Sequence, residues 1–132
     1  MTNKELITLA LGARENAYAP YSGFLVGAAL LTADGEVFVG ANVENASYGL
    51  TNCAERSALF AAVSKGKRQF SAIAVVGGKA GEVTEFCPPC GACRQALAEF
   101  SQDRDMKIIL FNGKEEKEIS LSSLLPDSFG IQ

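Results

Sequence analysis

Three cysteines in two separate stretches constrain this fold more than any other feature. Cys53 lies in the stretch 52–56, and Cys90 and Cys93 lie in the stretch 89–94. Thiolates bind zinc strongly, and a tetrahedral zinc ion needs four ligands. Two cysteines three positions apart share one face of a helical turn. The sequence therefore predicts a fold that brings both stretches together around one ion.

Glu55 lies two positions after Cys53. On a helix those two side chains point in different directions, so Glu55 is expected beside the ion rather than bound to it. Three protein ligands leave the fourth position for water, which is typical of catalytic zinc. Zinc lowers the pKa of such a water to about 7, and a neighbouring carboxylate can move its protons. Arg56 is predicted to donate a hydrogen bond to the ligand sulfurs.

Both cysteine stretches lie where helices are predicted to begin. One helix is predicted over 54–64, ended by Gly66, and another over 92–100, after Pro88 and Pro89. Helix N-termini present free N–H groups and positive partial charge, which favour thiolate over thiol.

The remaining elements follow from periodicity and turn signals. Thr2 and Glu5 form a predicted capping box for a first helix that stops before Pro20. Residues 77–89, rich in glycine and proline, are predicted to be a loop. Strands are predicted over 24–31, 37–39, 72–76, 107–111 and 118–120, with a last helical turn near Leu124.

The order α-β-β-α-β-α-β-β predicts an α/β fold. We expect a three-layer α-β-α arrangement in which a mixed sheet of about five strands carries helices on both faces. The 132 residues are expected to form one catalytic domain over 1–132.

Composition excludes several classes of function. The chain has no histidine, so a Ser-His-Asp triad, a Cys-His pair and the His-Glu-x-x-His motif are impossible. A net charge of −3 without a basic run argues against a nucleic-acid partner. No apolar run reaches the roughly 18 residues of a membrane span, and no secretion signal is evident. We therefore expect a cytoplasmic protein whose cysteines bind metal rather than form disulfides.

The motifs, taken together and in order, resemble those of the small zinc-dependent cytidine deaminases. The resemblance covers nearly the whole chain. It includes a glutamate that is not a zinc ligand and, as the second part of the zinc-binding signature, a Pro-Cys-x-x-Cys motif. It is carried by Tyr18-Ala19-Pro20-Tyr21-Ser22, Phe24, Val26-Gly27-Ala28-Ala29, Asn42-Val43-Glu44-Asn45, Cys53-Ala54-Glu55-Arg56, Pro89-Cys90-Gly91-Ala92-Cys93-Arg94-Gln95, Leu124-Leu125-Pro126 and Phe129.

This resemblance implies hydrolytic deamination of cytidine and deoxycytidine to the uridine products and ammonia, in pyrimidine salvage. The implied cofactor is Zn2+, held by Cys53, Cys90 and Cys93 as hydroxide attacks C4 of the base. Glu55 is implied as the catalytic proton shuttle. The resemblance further implies a homotetramer with active sites formed between subunits.

The resemblance also assigns substrate contacts. Asn42 and Glu44 match positions that bind the ribose hydroxyls, although the residues alone favour ordinary turn chemistry. Phe24 and Phe129 match residues that line the base, with Phe129 reaching a neighbouring subunit, whereas by default both belong to a core.

Three further positions are implied near the substrate. Ala46 and Tyr48 lie in the loop that would face a neighbouring subunit. Backbone groups of Ala54, together with those of Cys90, are expected to contact the edge of the base.

Cys87 leaves a different interpretation open. All four cysteines could close a structural zinc site, which would make the chain a non-enzymatic zinc module. However, Pro88 and Pro89 hold the chain extended at about 3.1 Å per residue, which places Cys87 roughly 9 Å from Cys90. Cys87 is therefore interpreted as a spare thiol.

Two more functions are compatible with the motifs. Cys90 and Cys93 could form a redox pair, in which case the purified protein would carry no metal. The chain could also be a related small deaminase that acts on blasticidin-type cytosine nucleosides.

Overall fold

A computed structural model describes residues 1–102 and 104–130. The order of its helices and strands is the predicted one. The elements are α1 (Asn3–Arg14), β1 (Phe24–Thr32), β2 (Val37–Ala41), α2 (Ala54–Ser64), β3 (Phe70–Lys79), α3 (Gly91–Glu99), β4 (Lys107–Phe111), β5 (Glu116–Ser120) and α4 (Leu121–Leu124), with a short 3-10 turn at Tyr48–Leu50.

The five strands form one mixed sheet in the order β2-β1-β3-β4-β5. Strand β1 runs antiparallel to both β2 and β3, β3 runs parallel to β4, and β4 runs antiparallel to β5. The prediction of a mixed sheet of about five strands is confirmed.

Helices cover both faces of the sheet, which confirms the three-layer prediction. Side chains along a strand alternate between faces, so the central strand β3 contributes to two separate clusters of buried residues. On one face α1 packs through Leu6, Ile7 and Ala10 against Ala74 and Val76. On the other face α2 and α3 cover Ile73, Val75, Ile108 and Leu110 with Ala58, Leu59, Ala62 and Leu97.

The start of α1 is the predicted capping box. Thr2 Oγ1 accepts a hydrogen bond from the Glu5 N–H at 3.1 Å, and Glu5 Oε1 accepts one from the Thr2 N–H at 2.9 Å. The helix ends at Arg14, well before Pro20. Arg14 is buried, and its guanidinium donates hydrogen bonds to main-chain carbonyls, at Leu25, Gly78, Lys79 and Glu82.

The prediction of a loop from residue 77 is wrong for residues 77–79, which belong to β3. Gly77 pairs with Val26, and Gly78 pairs with Leu25. Glycine is needed there because neighbouring groups approach the strand closely. A Cβ at Gly78 would lie 2.0 Å from the Glu82 carbonyl oxygen, and one at Gly77 would lie 2.9 Å from the Cys87 sulfur.

Gly40 allows α2 to lie directly on β2. A Cβ at Gly40 would be 2.5 Å from the Ala58 nitrogen and 2.6 Å from the Ala54 carbonyl oxygen. The first turn of α2, which contains Glu55, is therefore positioned by contact between backbones. Among the helices that the structure describes, none has the length and hydrophobicity that a membrane span requires.

Candidate metal centre and substrate pocket

The sulfur atoms of Cys53, Cys90 and Cys93 form a cluster in which all lie within 4.8 Å of one another. The Cys53 and Cys90 sulfurs are 3.8 Å apart. Sulfurs bound tetrahedrally to zinc at about 2.3 Å are themselves about 3.8 Å apart. The spacing of this thiol cluster therefore fits a zinc ion, and the donor set is one that zinc prefers.

The ends of two helices position the thiol cluster. Cys53 is the N-cap residue of α2 and Cys90 is the N-cap residue of α3, and neither side chain makes a capping hydrogen bond. Cys93 lies in the first turn of α3 and is buried. Because α2 and α3 cover the same face of the sheet, their N-terminal partial charges act on the same group of sulfurs.

Arg56 supplies positive charge directly at the sulfurs. Its Nη2 donates a hydrogen bond to the Cys53 sulfur at 3.3 Å. Hydrogen bonds from Cys93 and then from Arg56 lower the pKa of Cys53 to about 5. The bond to Cys53 raises the pKa of Arg56, and donation to Cys53 raises the pKa of Cys93. The cluster thus already stabilises a thiolate, the form of cysteine that binds metal.

Glu55 lies in the first turn of α2 and is only 4% exposed. Burial, reinforced by the negative charge of Cys53, raises the pKa of Glu55 to about 7. Glu55 is outside the thiol cluster. A carboxyl group with such a pKa can both accept and release a proton near neutral pH.

Cys87 also stands outside the thiol cluster. Its sulfur packs over Gly77 in β3, and burial raises the pKa of Cys87 to about 11. Cys87 is therefore a protonated thiol packed on the sheet, as expected of a spare thiol, and four sulfurs do not converge.

A cavity of about 360 Å³ brings together four of the residues that the resemblance assigned to substrate, namely Phe24, Asn42, Glu44 and Tyr48. The rest of its lining consists of Tyr21, Ser22, Asn45 and Thr51. The Phe24 ring and the Cys87 sulfur both approach Gly77, at 3.1 and 2.9 Å from the position of a Cβ there. Phe24, which lines the cavity, therefore lies near Cys87 on the same part of β3.

The side chains of Asn42 and Glu44 both retain unused hydrogen-bonding positions. Asn42 Oδ1 accepts from the Val26 N–H and its Nδ2 donates to the Phe24 carbonyl, both at 2.9 Å. Glu44 accepts from the N–H groups of Tyr21 and Ser22 and from the Ser22 hydroxyl. An amide nitrogen has two N–H groups and a carboxylate accepts about four bonds, so one donor and one acceptor remain.

The other residues assigned by resemblance do not line this cavity. Ala54 is buried as the first residue of α2. Ala46 is exposed in the loop after β2, and Phe129 is 74% exposed near the C-terminal end of the described chain. Within one chain, Phe24 lines the cavity and Phe129 does not.

Sequence reasoning gave no role to Arg94 and Gln95, which hold the C-terminal segment to α3. Arg94 donates to the carbonyls of Pro89 at 2.7 Å and Leu124 at 2.9 Å, and Gln95 donates to the Phe129 carbonyl at 3.1 Å. The acceptors at Leu124 and Phe129 are 30 and 34 positions away, so no local sequence pattern could reveal these contacts.

Comparison with known proteins agrees with this geometry. Residues 1–110 match the family described as the cytidine and deoxycytidylate deaminase zinc-binding region. This range includes Glu55 and all three cysteines of the thiol cluster. The chain is therefore a deaminase of the zinc-binding class, and its cofactor is zinc.

Comparison with individual relatives identifies the family within this class of deaminases. The cytidine deaminase of Halalkalibacterium halodurans is 55% identical over 98% of this chain and 95% of its own length. The crystal structure of cytidine deaminase from Burkholderia pseudomallei superimposes with a TM-score of 0.89 at 53% identity, covering 98% of this chain and 100% of that one. Cytidine deaminase from Mycobacterium tuberculosis gives a TM-score of 0.80 at 39% identity, covering 99% of both chains. The chain belongs to the cytidine deaminase family.

Proposed function

We propose that this chain hydrolyses cytidine and deoxycytidine to uridine and deoxyuridine, with release of ammonia. The observation that carries the proposal is the buried carboxyl group of Glu55, two positions from Cys53 of the thiol cluster. The described strands form one sheet, and the helices that begin at the thiol cluster pack on it, which supports one catalytic domain over 1–132.

Cys53, Cys90 and Cys93 would hold the zinc ion. Zinc supplies a Lewis acid that activates water at neutral pH. Glu55 takes the first proton that the attacking water loses and delivers it to ring nitrogen N3. As the new C4 hydroxyl becomes the carbonyl, Glu55 carries the proton that this hydroxyl releases to the departing amine. Arg56 donates a hydrogen bond to the Cys53 sulfur and so stabilises its thiolate form. Water and the cytosine amidine are thereby converted into the uracil carbonyl and ammonia.

The cavity supports a nucleoside as substrate. The unused acceptor position of Glu44 and the unused N–H of Asn42 can bind one hydroxyl group, which donates to the former and accepts from the latter. Phe24 offers an aromatic wall on the side toward Cys87. A sugar hydroxyl and a flat base match these two parts of the cavity.

The decisive experiment is an ultraviolet absorbance time course with cytidine and zinc-loaded protein. Wild-type protein is expected to convert the spectrum to that of uridine. Glu55→Gln is expected to keep zinc and lose about 10²–10⁴-fold in kcat, the range of general acid–base catalysis. Glu15→Gln, which changes an exposed glutamate beside α1, serves as the matched control. Unchanged cytidine with zinc-loaded wild-type protein would contradict the proposal.

We also propose that the chain acts as a homotetramer whose active sites lie between subunits. Large apolar side chains are exposed in one chain: Tyr48 at 87%, Leu50 at 70% and Phe129 at 74%. Burial of such side chains against other copies would stabilise an assembly. Light scattering after gel filtration would measure the mass.

Mixed assemblies test whether Phe129 serves a neighbouring site. In a hybrid of Glu55→Gln and Phe129→Ala subunits, some sites combine an intact Glu55 with an intact Phe129 from the other subunit. Activity above that of either variant alone is expected. Activity no higher than the average of the two variants would argue that each site uses its own Phe129.

A further inference from the structure

Ser22 connects two parts of the cavity that contact different parts of a nucleoside under the proposed function. Its hydroxyl donates a hydrogen bond of 2.5 Å to Glu44 Oε2 and accepts one of 3.0 Å from the Phe24 N–H. Glu44 lies 22 positions after Ser22, and β1 and β2 lie between the two residues. A serine that only completed a local turn would bond nearby backbone groups, so the bond to Glu44 needs another explanation.

The Glu44 carboxylate is held entirely by the same short segment. Its Oε1 accepts the N–H groups of Tyr21 at 3.0 Å and Ser22 at 3.1 Å. The Ser22 hydroxyl is the main reason why the pKa of Glu44 is lowered. Hydroxyl-to-carboxylate bonds of this length are charge-assisted and directional. Since Oε1 already accepts two bonds, the bond from Ser22 leaves one acceptor position, on Oε2, of a carboxylate that lines the cavity.

We propose that Ser22 is a positioning residue that sets Glu44 for recognition of a sugar hydroxyl and ties it to the strand end that carries Phe24. The inference rests on the proposed function, because it takes the ligand of the cavity to be a cytosine nucleoside. Ser22 itself is exposed, so removal of its hydroxyl is expected to change substrate discrimination far more than folding.

The test uses the zinc-loaded full chain and two substrates, cytidine and 2′,3′-dideoxycytidine, which lacks both secondary hydroxyls of the sugar. Ser22→Ala is expected to lower kcat/KM for cytidine about tenfold, the scale of one hydrogen bond to a charged group. For the dideoxy compound the change is expected to stay within about twofold, since Glu44 then has no hydroxyl to bind. Ser22→Thr, which keeps the hydroxyl, is expected to retain the wild-type ratio of kcat/KM between cytidine and the dideoxy compound.

Two comparisons separate positioning from a general structural role. Ser64→Ala removes an exposed hydroxyl at the end of α2 and is expected to change neither substrate's kcat/KM. In a double-mutant cycle, adding Ser22→Ala to Glu44→Ala is expected to cause little further loss, because Ser22 acts through Glu44.

Equal losses for the two substrates, or no loss for cytidine, would overturn the role of Ser22 and leave the proposed function standing. A wild-type chain that fails to convert cytidine would overturn both. The two failures are therefore distinguishable.

Discussion

The sulfur atoms of Cys53 and Cys90 lie 3.8 Å apart although 37 positions separate the two residues along the chain. Each begins a helix, and both helices cover the same face of the sheet. The spacing therefore depends on the packing of α2 and α3 onto β1, β3 and β4. Metal affinity and the stability of this layer must be coupled, since an unfolded chain cannot hold the sulfurs in this arrangement.

Zinc content is expected to depend on Cys90 but not on Cys87. Cys90→Ser removes one member of the thiol cluster, whereas Cys87→Ser changes a thiol packed over Gly77. Elemental analysis of the purified variants should find about one zinc per chain for Cys87→Ser and far less for Cys90→Ser. Loss of zinc from Cys87→Ser would instead indicate a closed site of four cysteines.

The stability of zinc-free protein should depend on pH through Glu55. Burial raises the pKa of Glu55 to about 7, above the ordinary value, so the folded state binds this proton more tightly than the unfolded state. The resulting stabilisation is full below pH about 4.3 and is lost as pH rises through 7. Above that pH the buried charge costs on the order of 3 kcal/mol.

Glu55→Gln removes this cost. Urea unfolding of reduced, zinc-free protein should show the variant more stable than wild type at pH 8, with the difference shrinking toward pH 5. A difference that is constant between these pH values would contradict the raised pKa of Glu55.

Arg56 is expected to support zinc binding through Cys53. Arg56→Ala removes the 3.3 Å hydrogen bond to the sulfur, and residues that orient a metal ligand typically contribute 10–100-fold to affinity. Competition with a chromophoric chelator should detect a loss of this size. Arg68→Ala is a suitable control, since Arg68 donates to the main-chain carbonyls of Val63 and Lys67, away from the sulfurs.

Gly40→Ala should disturb the site without touching any of its side chains. The new methyl group would lie 2.5 Å from the Ala58 nitrogen, so α2 must move away from β2, at a cost of about 1–3 kcal/mol. Glu55 moves with the helix, and kcat should fall as well. Urea unfolding and the cytidine assay would measure the two effects.

Gly12→Ala is the matched control for Gly40. It lies in α1, and apart from the backbone of that helix no atom lies within 4 Å of its Cβ position. Alanine there should raise stability by about 0.5–1 kcal/mol, because glycine disfavours helix interiors. Equal destabilisation by both substitutions would show that the contact between α2 and β2 is not the cause.

Local signals were sufficient to predict most of the fold. The bounds of α2 and β4 match their predictions, because Gly66 ends the helix and Asn112-Gly113 ends the strand. Residues 77–79 were predicted wrongly because glycine was interpreted as a loop signal, whereas here it admits Glu82 and Cys87 close to β3. That requirement arises from tertiary contacts and has no local signature.

The functional site was also predictable only in part from the sequence. Zinc needs several ligands and binds thiolates strongly, so the residue types of Cys53, Cys90 and Cys93 predict that their sulfurs lie together around one ion. The bond between Ser22 and Glu44 joins positions on either side of a hairpin, and neither residue alone predicts it. The catalytic role of Glu55 and the substrate contacts remain predictions for the experiments above.

Cys53 and Cys90 occupy N-cap positions, yet neither side chain caps its helix. Serine or aspartate at such positions would contribute about 1 kcal/mol to each helix independently. In the proposed site one zinc ion would instead bind both helix ends, so that α2 and α3 should gain or lose order together. Amide hydrogens in the first turns of both helices should therefore lose protection from exchange in concert when zinc is removed.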